Sequence, residues 1–160
     1  MINDVDQQIL TILQEDARAS NTEIARQVGM APSAIFERVR KLEARGLIKG
    51  YEARLNAERL GLGLLAFVFV RVEEPLNARE AEAQLVAIPE VQEVHLVAGE
   101  DCYLVKVRVS GTAALTRLLK ERLGAISSIR STRTTIVLET CKETARLPVG
   151  AAQEEDNGKD

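Results

Sequence analysis

Between Ser20 and Arg45 the chain reads Ser-Asn-Thr-Glu-Ile-Ala-Arg-Gln-Val-Gly-Met-Ala-Pro-Ser-Ala-Ile-Phe-Glu-Arg-Val-Arg-Lys-Leu-Glu-Ala-Arg, and no other stretch restricts the fold as tightly. Ser20 with Glu23 after it is a capping box, which starts a helix at Asn21. Gly29 stops that helix, because glycine takes the left-handed cap conformation without the clash a Cβ would make. Pro32 then opens a second helix, since its missing N–H is no loss in a first turn. Two short helices joined by a turn of about three to four residues have the geometry of a DNA-reading helix-turn-helix.

At about 100° per residue the second helix divides into two faces. Ile35, Phe36, Val39 and Leu42 fall on one and are expected to pack. Ser33, Ala34, Glu37, Arg38, Lys41 and Arg45 fall on the other. Short side chains near its start let a helix approach base edges, and cations further along reach phosphates. Asn21 and Thr22 at the start of the preceding helix, with Arg40 and Lys49, complete the expected DNA-contacting set. Any amphipathic surface helix turns charges outward, so the distribution of charge carries the argument. The whole chain has a net charge of −3. Residues 1–25 hold one cation against five carboxylates, a net −4, whereas residues 26–54 hold seven cations against three carboxylates, a net +4. A local basic patch suffices for a salt-sensitive DNA footprint.

No apolar run approaches the ~18–20 residues of a membrane span. The polar, acidic start argues against a signal or transit peptide. Cys102 and Cys141 make no disulfide framework, and with a single histidine, His95, they make no zinc site. A cytoplasmic protein with reduced thiols, no metal and no cofactor is expected.

A first helix is expected from Asp4 to Asp16, capped by Asn3, and Gly46 closes the helix that ends near Arg45. Leu47 to Ala53 reads as a short strand, so residues 1–54 form a winged helix-turn-helix. Residues 55–63 are a connector. From 64 to 145 the pattern is strand Leu64–Val72, helix Asn77–Ile88, strand Val91–Ala98, strand Tyr103–Val109, helix Thr112–Leu123 and strand Ile129–Thr140. That order, βαββαβ, is the ferredoxin-like split unit, and the fold class is α+β. Residues 146–160 are small, polar and acidic, and are expected to be disordered. The first strand is apolar on both faces, with Phe67 and Phe69 on one side and Val68, Val70 and Val72 on the other. Two helices cover one face of such a sheet, so a second copy is expected on the other, most simply through a two-fold dimer.

With both halves laid out, the chain resembles the Lrp/AsnC (leucine-responsive, or feast/famine) transcription regulators from Ile2 to Cys141. The segments that carry the likeness are Asp6-Gln7-Gln8-Ile9-Leu10, Glu37-Arg38-Val39-Arg40-Lys41-Leu42-Glu43 and Gly46-Leu47-Ile48-Lys49-Gly50-Tyr51. In the second half they are His95-Leu96-Val97-Ala98-Gly99, Tyr103-Leu104-Val105-Lys106 and Thr132-Arg133-Thr134. The resemblance implies sequence-specific binding of double-stranded DNA, a C-terminal domain that dimerises and binds an amino-acid effector, and assembly of dimers into a higher oligomer. It places the effector around Gly99, Glu100, Asp101, Cys102 and Tyr103, with Thr132, Thr134 and Thr135 adding hydroxyls.

Two departures stand out. Ala31 replaces the serine that usually caps the recognition helix, and Cys102 takes the place of an aspartate in the turn. Two other classes stay open at this stage: a small dimeric ferredoxin-like enzyme, and a DNA-organising protein without an effector. Against the enzyme stands the lack of a nucleophile and base at recognisable spacing.

Overall fold

The structure, a computed structural model, describes residues 2–75, 78–99 and 102–150. It divides into two compact units: one contains residues 1–54 and returns at Glu143, the other spans Leu55–Lys142.

The first unit is three helices, α1 (Asp4–Glu15), α2 (Asn21–Val28) and α3 (Pro32–Ala44). Their cores meet at Ile9, Ile24, Ala25, Ile35 and Leu42, all buried. The reciprocal capping box is found at α1, where Asn3 Oδ1 accepts from the Asp6 N–H at 2.9 Å and Asp6 Oδ2 accepts from the Asn3 N–H at 3.5 Å. At α2, Ser20 Oγ accepts from the Glu23 N–H at 3.2 Å. Gly29 ends α2 at φ 75°, the left-handed region in which a side chain would be strained. Ala31 caps α3 with no side-chain hydrogen bond, so Pro32 at the first position is the local start signal.

Two sequence expectations about this unit are corrected. Residues 47–53 form no strand, and the unit is a helix-turn-helix without a wing. Instead the chain folds back on α3, the N–H groups of Leu47 and Ile48 both donating to the Leu42 carbonyl, so the orphan end of the helix consumes donors that a ladder would have needed. Nor is the start of the tail unstructured. Leu147 pairs with the Gln14 side chain in both directions, its N–H donating to Oε1 at 2.6 Å and its carbonyl accepting from Nε2 at 3.1 Å. Arg54 Nη2 also donates to the Glu143 carbonyl at 2.9 Å. Residues 151–160 lie outside the described set.

The second unit is β1 (Leu64–Val72), α4 (Glu80–Val86), β2 (Val91–Leu96), β3 (Tyr103–Val109), α5 (Thr112–Arg117) and β4 (Ile129–Ile136). The strands form one antiparallel sheet in the order β2-β3-β1-β4, the ferredoxin-like arrangement. After α5 the chain continues as a π-turn over Leu118–Arg122 and a 3-10 turn over Leu123–Ala125, where a continuous α-helix to Leu123 was expected. Leu115, Leu118 and Leu123, spaced i, i+3 and i+8, all lie in the core. Helix α4 is shorter than the sequence suggested, with Arg79 as its cap, and Asn77 lies outside the described residues.

Strand alternation decides which face is covered. Ala66, Val68 and Val70 of β1 and Tyr103, Val105, Val107 and Val109 of β3 are buried beneath Ala81, Leu85, Leu115 and Leu118 of the helices. Phe67 and Phe69 point to the opposite face and are only half-buried. The register places Leu104 and Lys106 of β3 and Arg133 of β4 beside them.

Candidate DNA-reading face and ligand-binding turn

The packing of α3 fixes which side is free. Ile35 and Leu42 are buried, and Ala34, Arg38 and Val39 are half-buried, so these five mark the inward arc. At about 100° per residue the opposite side is centred on Ser33 and Arg40, with Phe36 on one flank and Glu37 and Lys41 on the other. All five of these are exposed. The outward face is therefore rotated from the one expected. Phe36, assigned to the core, is 53% exposed.

Arg38, assigned to base reading, is turned inward. Its Nη1 lies 2.8 Å from Oδ1 of Asp6 on α1, with only 12% of the Asp6 side chain and 31% of the Arg38 side chain accessible. One carboxylate thus caps α1 and holds α3 at once. Helical periodicity cannot reveal this pair, because its members lie 32 residues apart and Arg38 borders the apolar stripe. The signal present in the sequence was an acid at a helix N3 position, buried in a unit otherwise rich in outward charges. A groove of about 530 Å³ follows, lined among others by Asp6, Met30, Ala34, Arg38, Lys41 and Arg45.

Four further cations follow on α3 and the loop after it. Arg40 Nη1 is 3.9 Å from Glu37 Oε1, an exposed pair weak enough to exchange partners with a phosphate. Lys41, Arg45 and Lys49 are exposed. Asn21 and Thr22 form the first residues of α2, the former half-buried and the latter exposed. Tyr51 donates its hydroxyl to Glu43 Oε1 at 3.0 Å, and burial followed by that carboxylate raises its pKa above the ordinary phenol range.

In the second unit, the turn between β2 and β3 is closed by Val97 N–H donating to the Cys102 carbonyl at 2.9 Å. Cys102 in turn donates its N–H to the Val70 carbonyl at 3.0 Å, and its thiol lies 3.7 Å from the Val72 carbonyl oxygen. Gly99 has φ 139°, which a side chain would resist. Glu100 and Asp101 lie outside the described residues.

The other members of the expected effector set do not share one surface. Tyr103 is buried under the helices, and desolvation, then the charges of Glu82 and Glu74, raises its pKa. Thr134 and Thr132 pair with Val68 and Val70 and so lie on the helix-covered face, whereas Thr135 pairs with Phe67 on the open one. The period-2 alternation of a strand forces this split.

The open face carries its own polar pairs. Arg133 Cζ sits 4.0 Å from the centroid of the Phe69 ring. Glu93 accepts from Lys106 Nζ at 3.1 Å and lies 3.1 Å from His95 Nε2. These partners, His95 first and then Lys106, hold the Glu93 carboxyl below the usual carboxylate range. Among the described residues no group of acids, cysteines and histidine is arranged to hold a metal, and no helix is long and apolar enough to cross a membrane.

A helix-turn-helix with exposed cations on its third helix, followed by a four-stranded ferredoxin-like domain, is the build of a two-module transcription regulator. The AsnC-type helix-turn-helix domain matches residues 2–43, and the Lrp/AsnC ligand binding domain matches residues 65–147. The chain belongs to the Lrp/AsnC family of transcription regulators.

Over 147 residues it is 40% identical to the leucine-responsive regulatory protein of Salmonella typhimurium, covering 91% of this chain and 90% of that one. To the protein of the same name from Escherichia coli K12 it is 39% identical with the same coverage. Among solved structures, a transcriptional regulator from Neisseria meningitidis in complex with L-methionine superposes with a TM-score of 0.89 at 30% identity, covering 94% of this chain and 98% of that one. E. coli AsnC gives a TM-score of 0.85 at 29% identity, covering 91% and 98%. The feast or famine regulatory protein of Mycobacterium tuberculosis complexed with L-methionine gives 0.85 at 37% identity, covering 92% and 99%. Membership in a family of regulators removes the enzyme alternative.

Proposed function

We propose that the protein binds a partly palindromic duplex as a two-fold dimer, with the outward face of α3 in the major groove. We further propose that an amino acid bound near the Gly99–Tyr103 turn modulates that binding. The observation that carries the DNA reading is the composition of the α3 face opposite Ile35 and Leu42: Ser33, Glu37 and Arg40 stand outward, and Lys41, Arg45 and Lys49 are exposed beside or after it. Ser33 and Glu37 near the helix start are suited to base edges, Arg40 to a base or a phosphate, and Lys41, Arg45 and Lys49 to phosphates. Arg38 acts by positioning the helix through Asp6. Asn21 and Thr22 of α2 approach the backbone beside it.

Effector binding is supported by two relatives that were solved with L-methionine. Turn N–H groups beside Gly99 suit a carboxylate, and Glu100 and Asp101 suit an ammonium group. Cys102 in place of a second fixed acid favours an apolar side chain on the ligand. Thr135 on the open face and Thr134 on the covered one would serve different sides of such a site.

The DNA reading is tested by gel shift and salt titration. Lys41→Ala should weaken binding to all sequences by roughly three- to tenfold and lower the salt slope by about one. Arg40→Ala should weaken binding as well. Unchanged affinity in both variants would show that another surface binds DNA. Calorimetric titration with L-methionine and L-leucine tests the effector: micromolar binding lost in Glu100→Ala/Asp101→Ala supports the turn. Binding weaker than millimolar for both amino acids, or an affinity unchanged in the double variant, overturns it.

A further inference from the structure

Phe36 is out of place. A phenylalanine whose surface is half open to water gives up apolar burial that the neighbouring Ile35 and Leu42 obtain fully. It stands in the first half of α3, one turn from Ser33 and one turn from Arg40, on the flank of the outward face. The exposed residues beside it on α3 are Ser33, Glu37 and Arg40, a polar and charged set that suits a partner offering an apolar group among hydrogen-bonding and anionic ones.

The major groove of DNA offers one apolar group among its donors and acceptors, the C5 methyl of thymine. We propose that Phe36 is a specificity-determining contact of this regulator, its ring packing on the methyl of a thymine in each half-site. The inference rests on the reading of α3 as the helix that enters the major groove, and adds to it the base that one flank of the helix selects. The contact would be apolar and need no hydrogen bond, so it discriminates thymine from cytosine and from uracil by the methyl alone. Arg40, one turn further on, supplies the neighbouring charged contact, so the apolar step and a phosphate or guanine contact fall on adjacent positions of the site.

The probe is a duplex enriched from a random-sequence pool by the full-length protein, with each thymine replaced in turn by deoxyuridine. At one position per half-site, loss of the methyl should weaken the wild type about fourfold, the factor that burying one methyl's worth of apolar surface supplies. Phe36→Ala should bind the thymine duplex more weakly, by tenfold or more, and should no longer distinguish thymine from deoxyuridine there. Phe36→Leu should keep part of the discrimination. Circular dichroism melts of the variants report whether the helix-turn-helix remains folded.

If Phe36→Ala weakens binding but retains the full deoxyuridine penalty, or if no thymine shows a penalty in the wild type, the methyl contact is overturned. If Lys41→Ala and Arg40→Ala also bind like wild type, or the pool yields no enriched sequence, the placement of α3 fails together with it. Weakening by those two cations alone, with Phe36→Ala like wild type, leaves the helix placement standing and removes only the contact proposed here.

Discussion

In the proposed two-fold dimer, Phe69→Asp is expected to leave the protein monomeric at micromolar concentration, with the dissociation constant raised by a thousandfold or more. The ring lies on the sheet face that no helix covers, with Arg133 stacked 4.0 Å from its centroid and Phe67 and Leu104 in register beside it. In a two-fold interface each substitution counts twice. Losing two phenyl rings from the interface and desolvating two carboxylates there, each beside Arg133, costs several kcal/mol, on the order of the ~4 kcal/mol that a thousandfold change represents. Folding of the monomer should survive, because its core lies on the other face around Val68, Val70, Val105 and Leu85. Val86→Asp, on the exposed surface of α4, is the control and should remain dimeric. Sedimentation velocity reads both. A Phe69→Asp protein that sediments as the wild type would show that the open face is not the dimer contact. DNA affinity should fall with dimerisation, since two half-sites ~34–36 Å apart are then no longer bound by one linked pair.

The second large effect concerns the joint between α1 and α3. Arg38→Ala should destabilise the helix-turn-helix by about 2 kcal/mol, between the ~1 kcal/mol of an exposed pair and the ~3–5 kcal/mol of breaking a buried one. Asp6→Ala should cost a similar amount, since it removes the same ion pair and also the long bond that the Asp6 carboxylate accepts from the Asn3 N–H, while the Asp6 N–H keeps its cap from Asn3 Oδ1. The double variant should cost less than the sum by about 1 kcal/mol, because the two side chains are in direct contact. Ile35→Ala in the same unit provides the scale, with the ~2–5 kcal/mol of a cavity in a packed core.

The DNA readout separates positioning from base reading. Asp6 is off the outward face, so if Arg38 acts by holding α3, Asp6→Ala should weaken binding as much as Arg38→Ala and with the same sequence preference. An Arg38→Ala protein that is fully stable yet has relaxed preference at one base would return Arg38 to the DNA-reading set. Chemical denaturation and gel shifts on the same variants give both answers.

Much of the architecture was legible in the residues. Ser20, Gly29 and Pro32 act on the backbone within one turn of themselves, so they announced the ends of α2 and the start of α3 without help from the rest of the fold. Strands β1 and β3 were equally plain, because uninterrupted runs such as Leu64–Val72 and the alternation of Tyr103–Val109 are properties of short segments. The order of elements in the second half then admits few topologies, of which the antiparallel β2-β3-β1-β4 sheet is one.

What the sequence alone determined was set by neighbours along the chain: the types of most elements, the caps at the starts of α1 and α2, and the two modules. Tertiary structure decided the rest, wherever the deciding partner is distant in sequence. Burial of Ile35 and Leu42 fixed the free face of α3 and left Phe36 exposed, and the inward Arg38 met Asp6 from 32 residues away. The Leu42 carbonyl took the N–H groups of Leu47 and Ile48, and the expected wing did not form. Gln14 hydrogen-bonds the backbone of Leu147 from 133 residues away, a contact that composition does not announce. Alternation along β4 puts Thr134 and Thr135 on opposite faces, but the helices decided which of the two is covered, namely Thr134 beside Val68. Each of these is a choice among alternatives of similar local energy, and long-range burial and hydrogen bonding made the selection.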